Sequence, residues 1–306
     1  MVLQPAQTTT WASIVTQYFK EQLTTYSSTA DSILGNISTV PIEYGKSTGS
    51  RKIQDPDTIV AEGREFNPNR GMKVTELQQL DFVNLSDGLQ IPRADFAADP
   101  EGARIHVNNT GQIFRNAIEK TFIAGSSTRA LCYGVDDYPT ATAGTINRPE
   151  AIPNATAGDW ETIANVRTDL IESMVQLTAA RFYGPYALLA PTIVRPMFSQ
   201  LIEYAATSGP EASTAAFISN TLGIPIIYSP YVHEAATKDV FNCYLIDTSK
   251  VHLGISPAMF DAYYVQKDHA YYWDWEVYMT PLFDPLYDGT EYLKGVCRLA
   301  ARDWSD

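Results

Sequence analysis

Apolar positions along the chain follow two periods, and the switches between them divide the sequence into elements. Trp11, Ile14, Val15, Tyr18, Phe19 and Leu23 recur at helical spacing before Gly35, so a short amphipathic helix is expected in the amino-terminal arm. One short helix cannot bury that stripe alone. A longer helix is expected from Asp99 as N-cap, with Pro100 at the first helical position and Glu101 complementing the dipole. Its stripe of Ala103, Val107, Thr110, Phe114, Ile118 and Phe122 runs to a stop at Gly125, roughly 35 Å at 1.5 Å per residue. Ile163, Val166, Leu170, Met174 and Leu177 mark a further helix, closing near Tyr183-Gly184-Pro185. Two more are expected at about 192–207 and from Gly209-Pro210-Glu211 to Leu222-Gly223.

Strand signals lie between and after these. Residues 186–190, 224–228 and 241–246 are short apolar runs of buried-strand type, giving the alternation of a mixed α/β unit. Tyr271, Trp273, Trp275, Val277 and Met279 alternate with polar neighbours, a half-buried strand with a large aromatic inner face. Residues 291–300 are expected to pair beside it. The stretch 126–160 carries Gly134, Pro139, Gly144, Pro149, Pro153 and Gly158 and reads as loop.

Residues 44–79 differ in kind, with glycines and prolines among short alternating pieces such as Lys52-Ile53-Gln54, the pattern of a long β-hairpin with little core of its own. Charge makes this hairpin informative. The 306-residue chain carries 22 bases against 35 acids, a net −13, whereas the hairpin holds Lys46, Arg51, Lys52, Arg64, Arg70 and Lys73 against five acids. Residues 257–291 show the opposite bias, with Asp261, Asp268, Asp274, Glu276 and three further acids against Lys267. A solvated hairpin accounts for the first pattern; an arm laid across an acidic neighbour accounts for both.

Composition excludes several classes. A chain this acidic is not held together chiefly by attraction to nucleic acid or an anionic membrane surface. The opening residues lack a basic segment followed by an apolar core, and no run approaches the ~18 apolar residues that span a bilayer. Cys132, Cys243 and Cys297 are odd in number and far apart, which fits free thiols in a reducing compartment. The Asn-x-Ser/Thr triplets at Asn36, Asn84, Asn108 and Asn154 carry no weight without a secretory route.

Catalytic and cofactor signatures are missing from the pattern. His106, His233, His252 and His269 show no zinc-binding spacing. Gly45-Lys46-Ser47-Thr48 lacks the earlier glycine of a phosphate loop, since position 40 is Val40. Gly125-Ser126-Ser127 fails the spacing of a nucleophile elbow. Cys243 lies in an apolar strand, where a thiol behaves as a small hydrophobe. The reading is therefore of a non-enzyme with no cofactor, although Tyr263-Tyr264 and Tyr271-Tyr272-Trp273 also suit a sugar site, a buried sheet face or a subunit contact.

Gly158-Asp159-Trp160, the helix after it, and Phe182-Tyr183-Gly184-Pro185-Tyr186-Ala187-Leu188 resemble the encapsulin (linocin-like) branch of the tailed-phage major capsid proteins. Ala94-Asp95, the long helix and Phe122-Ile123-Ala124-Gly125 are similar to that family's spine helix and its exit. The resemblance covers most of the chain in the order of its parts and about 40 residues in motif. It implies an α+β fold of the Hong Kong 97 type. The implied units are an amino-terminal arm at 1–43, an extended loop at 44–79, a peripheral domain with the spine helix at 80–125 and 240–306, and an axial α/β domain at 126–239. Gly184 suits a left-handed cap and Pro185 blocks helix continuation, a local reason for the turn.

The function implied is that of a bacteriophage major capsid protein, a structural protein that self-assembles into homo-pentamers and homo-hexamers of an icosahedral virion shell around double-stranded DNA. Assembly is expected in the host cytoplasm, with DNA contacted weakly, no membrane, and a scaffolding protein, portal and decoration protein as further partners. The basic hairpin and the acidic strip are the expected subunit contacts, and the amino-terminal helix is expected to clasp another subunit. Only 43 residues precede the hairpin, so maturation by amino-terminal cleavage is not expected. The long loop at 126–157 and the aromatic carboxy-terminal part depart from encapsulins and favour the virus. A shell enclosing a cargo enzyme is the second reading, and a carbohydrate-binding protein or hydrolase using the Tyr/Trp-rich end is the third.

Overall fold

The computed structural model describes residues 33–42, 48–54, 74–92, 94, 100–126, 132–136, 150–154, 159–199, 201–202, 212–233, 236–237, 239–256, 259–265, 269–284, 286–287 and 292–304. In chain order these form α1 (Ile33–Asn36), β1 (Ser38–Pro41), β2 (Thr48–Gln54), β3 (Val74–Asp81), β4 (Val83–Pro92), α2 (Pro100–Ala124), β5 (Glu150–Asn154) and α3 (Ile163–Ala179). They continue as β6 (Tyr186–Pro191), α4 (Arg195–Phe198), β7 (Leu201–Ile202), β8 (Ala212–Ser213), α5 (Thr214–Ala216), β9 (Ile226–Ser229), β10 (Phe241–Asp247), β11 (Val251–Ile255), β12 (Met259–Val265), β13 (Ala270–Phe283), β14 (Leu286–Tyr287) and β15 (Tyr292–Arg302). The amino-terminal stripe at 11–23 lies outside the described residues.

Two sheets carry the fold. In the first, β13 is the central strand, with β4, β11 and β12 antiparallel to it and β1 parallel to β11 at the edge. The second runs β3-β2-β14-β15-β10-β6-β9, and β5 lies parallel to β15. Strand β10 is buried at every position, as a strand covered on both faces must be. The alternation along β6, β10 and β15 sorts side chains into two cores. Leu188, Ala190, Cys243, Leu245, Cys297 and Leu299 pack in the cluster that holds Val166, Leu170 and Leu177 of α3. Ala187, Leu189, Tyr244, Ile246 and Val296 pack in the cluster that holds Ile118 and Phe122 of α2 together with Val251 and Met279 of the first sheet.

The long helix begins at Pro100 and ends where its sequence dictates, and the expected N-cap Asp99 lies outside the described residues. Phe114, Ile118 and Phe122 bury one face, and Gly125 at φ +70 takes the chain out. The chain then returns across the helix end, where Val135 N–H donates to Phe122 O (3.1 Å) and Asp136 N–H to Ile123 O (2.8 Å). Gly134 makes that crossing possible, because a Cβ there would lie 2.2 Å from Ile123 O. Buried Lys294 of β15 secures the same segment, donating from Nζ to Gly134 O and Val135 O at 2.9 Å each.

Several expectations need correction. Strand β15 pairs with β10, β14 and β5 and not beside β13, whose edges are taken by β4, β11 and β12. The helix expected at 192–207 is a 3₁₀ turn, Thr192–Val194, followed by four residues of α4; β7 then leaves to pair with β8. The next helix starts at Ser213, not at Gly209, because the Ser213 hydroxyl caps it by accepting from Ala216 N–H at 3.1 Å. The loop expected at 126–157 contains β5. In β13 the alternation holds at Val277 and Met279, and from Thr280 to Phe283 every residue is buried.

Candidate functional site

In their described residues, the motifs around Trp160 and Gly184 are framework. Asp159 forms a parallel bridge with Asp303, and Trp160 N–H donates to Asp303 O at 2.8 Å, so the turn before α3 is fastened to the chain just past β15. The Trp160 ring is fully buried, 5.7 Å from Phe198 and 5.8 Å from Phe241 between centroids. Its indole Nε1–H donates to Asp169 Oδ2 at 2.7 Å. The same oxygen lies 2.7 Å from Arg302 Nε, and Arg302 Nη1 donates to Ala300 O at 2.6 Å. Burial pulls the Arg302 pKa below its ordinary value, and the Asp169 carboxylate opposes that shift. Gly158 lies outside the described residues.

The second motif is a turn fixed from both sides. Arg181 and Gly184 take positive φ, and the Gly184–Pro185 peptide is cis. Buried Asp247, at the end of β10, accepts from Gly184 N–H on Oδ2 (2.9 Å) and from Ser249 N–H and Oγ–H on Oδ1 (2.9 and 2.6 Å). Pro185 O accepts from Thr248 N–H and Oγ1–H at 2.8 and 2.9 Å. Tyr186 turns its hydroxyl back to Phe182 O at 2.7 Å. Gly295 leaves room for this packing, since a Cβ there would meet Phe182 and Asp247 at 3.0 and 3.2 Å. Tyr183 projects from the turn, 72% exposed.

Of the hairpin bases, Arg51 and Lys52 lie on β2 opposite Gln78 and Leu77 of β3, so the two described arms of the 44–79 segment pair antiparallel. Lys46, Arg64, Arg70 and Lys73 lie outside the described residues. Of the acidic strip, Asp261 on β12 stands directly opposite Asp274 on β13 in the strand register. Asp274 is exposed; Glu276, two positions along the same strand, is half-buried and accepts from Asn84 of β4. Asp268 lies outside the described residues. Within one chain the hairpin strands and the strip belong to different sheets.

Sequence reading missed Asp169, Asp247, Lys294 and Arg302, the buried charges that fasten the motifs. One signal was present: Asp169 sits between Val166 and Leu170 on the apolar stripe of α3, where a carboxylate must find a partner. The three cysteines are free and buried. Burial pushes the Cys297 thiol up to about 11 and raises Cys243 further, so neither is poised as a nucleophile. Among the described residues no group of three or more His, Cys, Asp or Glu is placed to hold a metal ion. No described helix is long and apolar enough to cross a membrane.

What the described surface does offer is unpartnered apolar side chains on helices. Ile171 and Val175, one turn apart on α3, and Ile105 and Ile113 on α2 are exposed, Val175 to 61%. Such residues, on helices that bury only one face, suit contacts with another polypeptide.

No family model and no curated protein matches the sequence. Solved structures do match. The virus-like particle from Pyrococcus furiosus superposes with a TM-score of 0.61 over 92% of this chain and 98% of that one, at 10% identity. The capsid of Myoviridae phage XM1 gives 0.56 over 87% and 90% at 13% identity. The holo-SrpI encapsulin complex from Synechococcus elongatus PCC 7942 gives 0.53 over 90% and 89% at 11% identity. What is shared at these identities is the fold: this chain has the Hong Kong 97-type fold of phage capsid and encapsulin shell subunits.

Proposed function

We propose that this chain is a major capsid protein, assembling as pentamers and hexamers into an icosahedral shell that encloses the double-stranded DNA of a tailed phage. The observation that carries the reading is the two-way coverage of the fold match, 92% of this chain and 98% of the virus-like particle subunit, which leaves little of either chain for another task. The motif residues support it, because Trp160 is buried against Asp169 and Arg302, and Gly184 is held by buried Asp247, with no exposed reactive cluster at either place. A protein of this kind works through its outer surfaces.

In the proposed contact, the 44–79 hairpin of one subunit, with Lys46, Arg51, Lys52, Arg64, Arg70 and Lys73, lies over the strip of a neighbour that holds Asp261, Asp268, Asp274 and Glu276. Each exposed pair contributes only ~0–1 kcal/mol. Repetition around a closed ring makes such contacts cooperative. A net charge of −13 suits a container from which DNA must leave, since a strongly basic wall would hold it by counterion release.

The match to the SrpI encapsulin over 90% of this chain favours a second reading, a shell around cargo protein. Particles purified from the native source separate the two. Nuclease-protected double-stranded DNA in the particles supports the virus; particles free of DNA that carry one enzyme in fixed proportion replace it with the encapsulin.

A further inference from the structure

We propose that His233 is a pH-sensitive latch: a proton added at its Nδ1 breaks the bond that ties the turn after β9 to a bulge in β10, so that acid frees this turn from the sheet. The bond itself fixes the state of the ring at neutral pH. Asn242 N–H, a backbone donor that cannot reverse its role, points to His233 Nδ1 at 3.0 Å. That nitrogen must offer a lone pair, so the imidazole is neutral with its proton on Nε2. Histidine side chains gain their second proton between about pH 8 and 5. Once Nδ1 carries hydrogen, two donors face each other and the contact is lost.

Asn242 is a position where that loss matters. The pairing of β10 with β15 slips there, from Phe241 opposite Arg302 to Cys243 opposite Leu299, and the Asn242 N–H goes to a side chain instead of the ladder. The Asn242 side chain holds the other half of the bulge, since its Oδ1 accepts at 3.0 Å from the N–H of Ala301, a residue at φ +52. Asn242 is buried, so its N–H without an acceptor would carry the penalty of an unsatisfied donor. His233 in turn shapes its own turn, taking φ +49 and accepting from Ala236 N–H on its carbonyl at 2.8 Å. Buried Val232 beside it stays in the core with Ile227 and Tyr244, which keeps the release local. The charged groups on the elements packed against this turn are Glu119 and Lys120 of α2, Asp239 before β10, and Arg302 and Asp303 at the end of β15. Glu119 accepts from Ser229 Oγ–H at 3.2 Å, Lys120 Nζ stands 6.0 Å from the Tyr231 ring centroid, and Arg302 is turned to Asp169. Among the described residues none of these groups bonds the imidazole, so the Asn242 bond is what its charging changes. The inference concerns a single chain and stands apart from the shell reading.

Hydrogen exchange of the Asn242 amide in the full-length protein tests it, read as protection relative to the unfolded chain so that the intrinsic pH dependence of exchange cancels. Protection is expected to fall at least about fivefold between about pH 7.5 and about pH 5.5, as for the loss of one hydrogen bond, while Leu245 in the regular part of β10 keeps its protection. H233N is the matched variant, because asparagine tolerates positive φ, offers a side-chain oxygen as acceptor and does not titrate. Its Asn242 protection is expected to be the same at both pH values. Equal protection at both pH values in the native protein would overturn the inference. So would a parallel fall at Leu245, which means general loosening, or an acid loss in H233N as large as the native one, which assigns the effect to another group. Nitrogen NMR of the histidine rings at about pH 8 needs no variant. A proton on Nε2 of His233 is the expected result, and a proton on Nδ1 contradicts the latch.

Discussion

Arg302 Nε lies 2.7 Å from Asp169 Oδ2, and neither side chain is open to solvent. This pair, with the Trp160 indole on the same carboxylate, ties the amino-terminal end of α3 to the end of β15. Removing one partner of a buried pair strands the other charge, a loss of ~3–5 kcal/mol, whereas replacing both with apolar residues is often nearly neutral. Asp169→Ala is therefore expected to lower the urea midpoint sharply. Asp169→Leu combined with Arg302→Met should cost less than either single change, and a double variant weaker than both would show that the pair is not the unit of stability.

Gly134 and Gly125 mark a second place where the backbone leaves no slack. A Cβ on Gly134 would lie 2.2 Å from Ile123 O and 2.4 Å from Gly125 N, both backbone atoms that cannot move aside cheaply. Gly134→Ala should destabilise by ~1–3 kcal/mol or more through forced separation of α2 from the segment that crosses it. Gly223→Ala is the control. Its φ is +69, but nothing lies within 4 Å of the added atom, so only the ~1 kcal/mol conformational cost applies. Equal losses at the two sites in chemical denaturation would contradict the crossing argument.

These two sites also show what the sequence made legible and what it did not. The stripe of Phe114, Ile118 and Phe122 and the stop at Gly125 could be read directly, because helix period and a terminal glycine are local properties. So could the hairpin and the buried strands at 186–190 and 241–246. The placement of β15 could not, since pairing between residues 246 and 296 depends on which edges other strands leave open. The Gly158-Asp159-Trp160 motif pointed to the fold, but its reason lies in Asp169 and Arg302, far apart in sequence and joined only by packing. The helix expected at 192–207 was overread because apolar spacing continued past the point where the chain leaves for β7, whereas the next helical stretch begins late, at the Ser213 cap, and closes at Leu222-Gly223 as its sequence indicates.

Alkaline pH probes the buried thiols. Cys297 is raised by burial to about 11, and Cys243 is raised in the same direction. A thiol that holds its proton more tightly in the folded chain contributes stability that is complete below the unfolded pKa, near 8.5, and fades as pH climbs through the folded value. The denaturation midpoint is expected to fall between about pH 8.5 and 11. In Cys297→Ala that slope should be shallower whatever the variant's absolute stability, and an unchanged slope would remove this thiol from the account.

Charge reversal tests the proposed contact between subunits. Changing Arg51, Lys52 and Arg64 to glutamate is expected to leave a folded subunit with native circular dichroism and to impair assembly in a sizing assay. Reversing Asp261 and Asp274 to lysine in the same chain should restore assembly if the hairpin meets that strip. Triple-variant protein that still builds normal particles removes the hairpin from the mechanism, and failure of the compensating pair to rescue removes the strip.

Electron microscopy of the purified full-length protein bears most directly on the central claim. The account predicts closed, roughly isometric shells built of ring-shaped pentamers and hexamers. A protein that stays at one or two copies of its 33.9 kDa chain at every concentration, salt and pH at which it remains folded would contradict it.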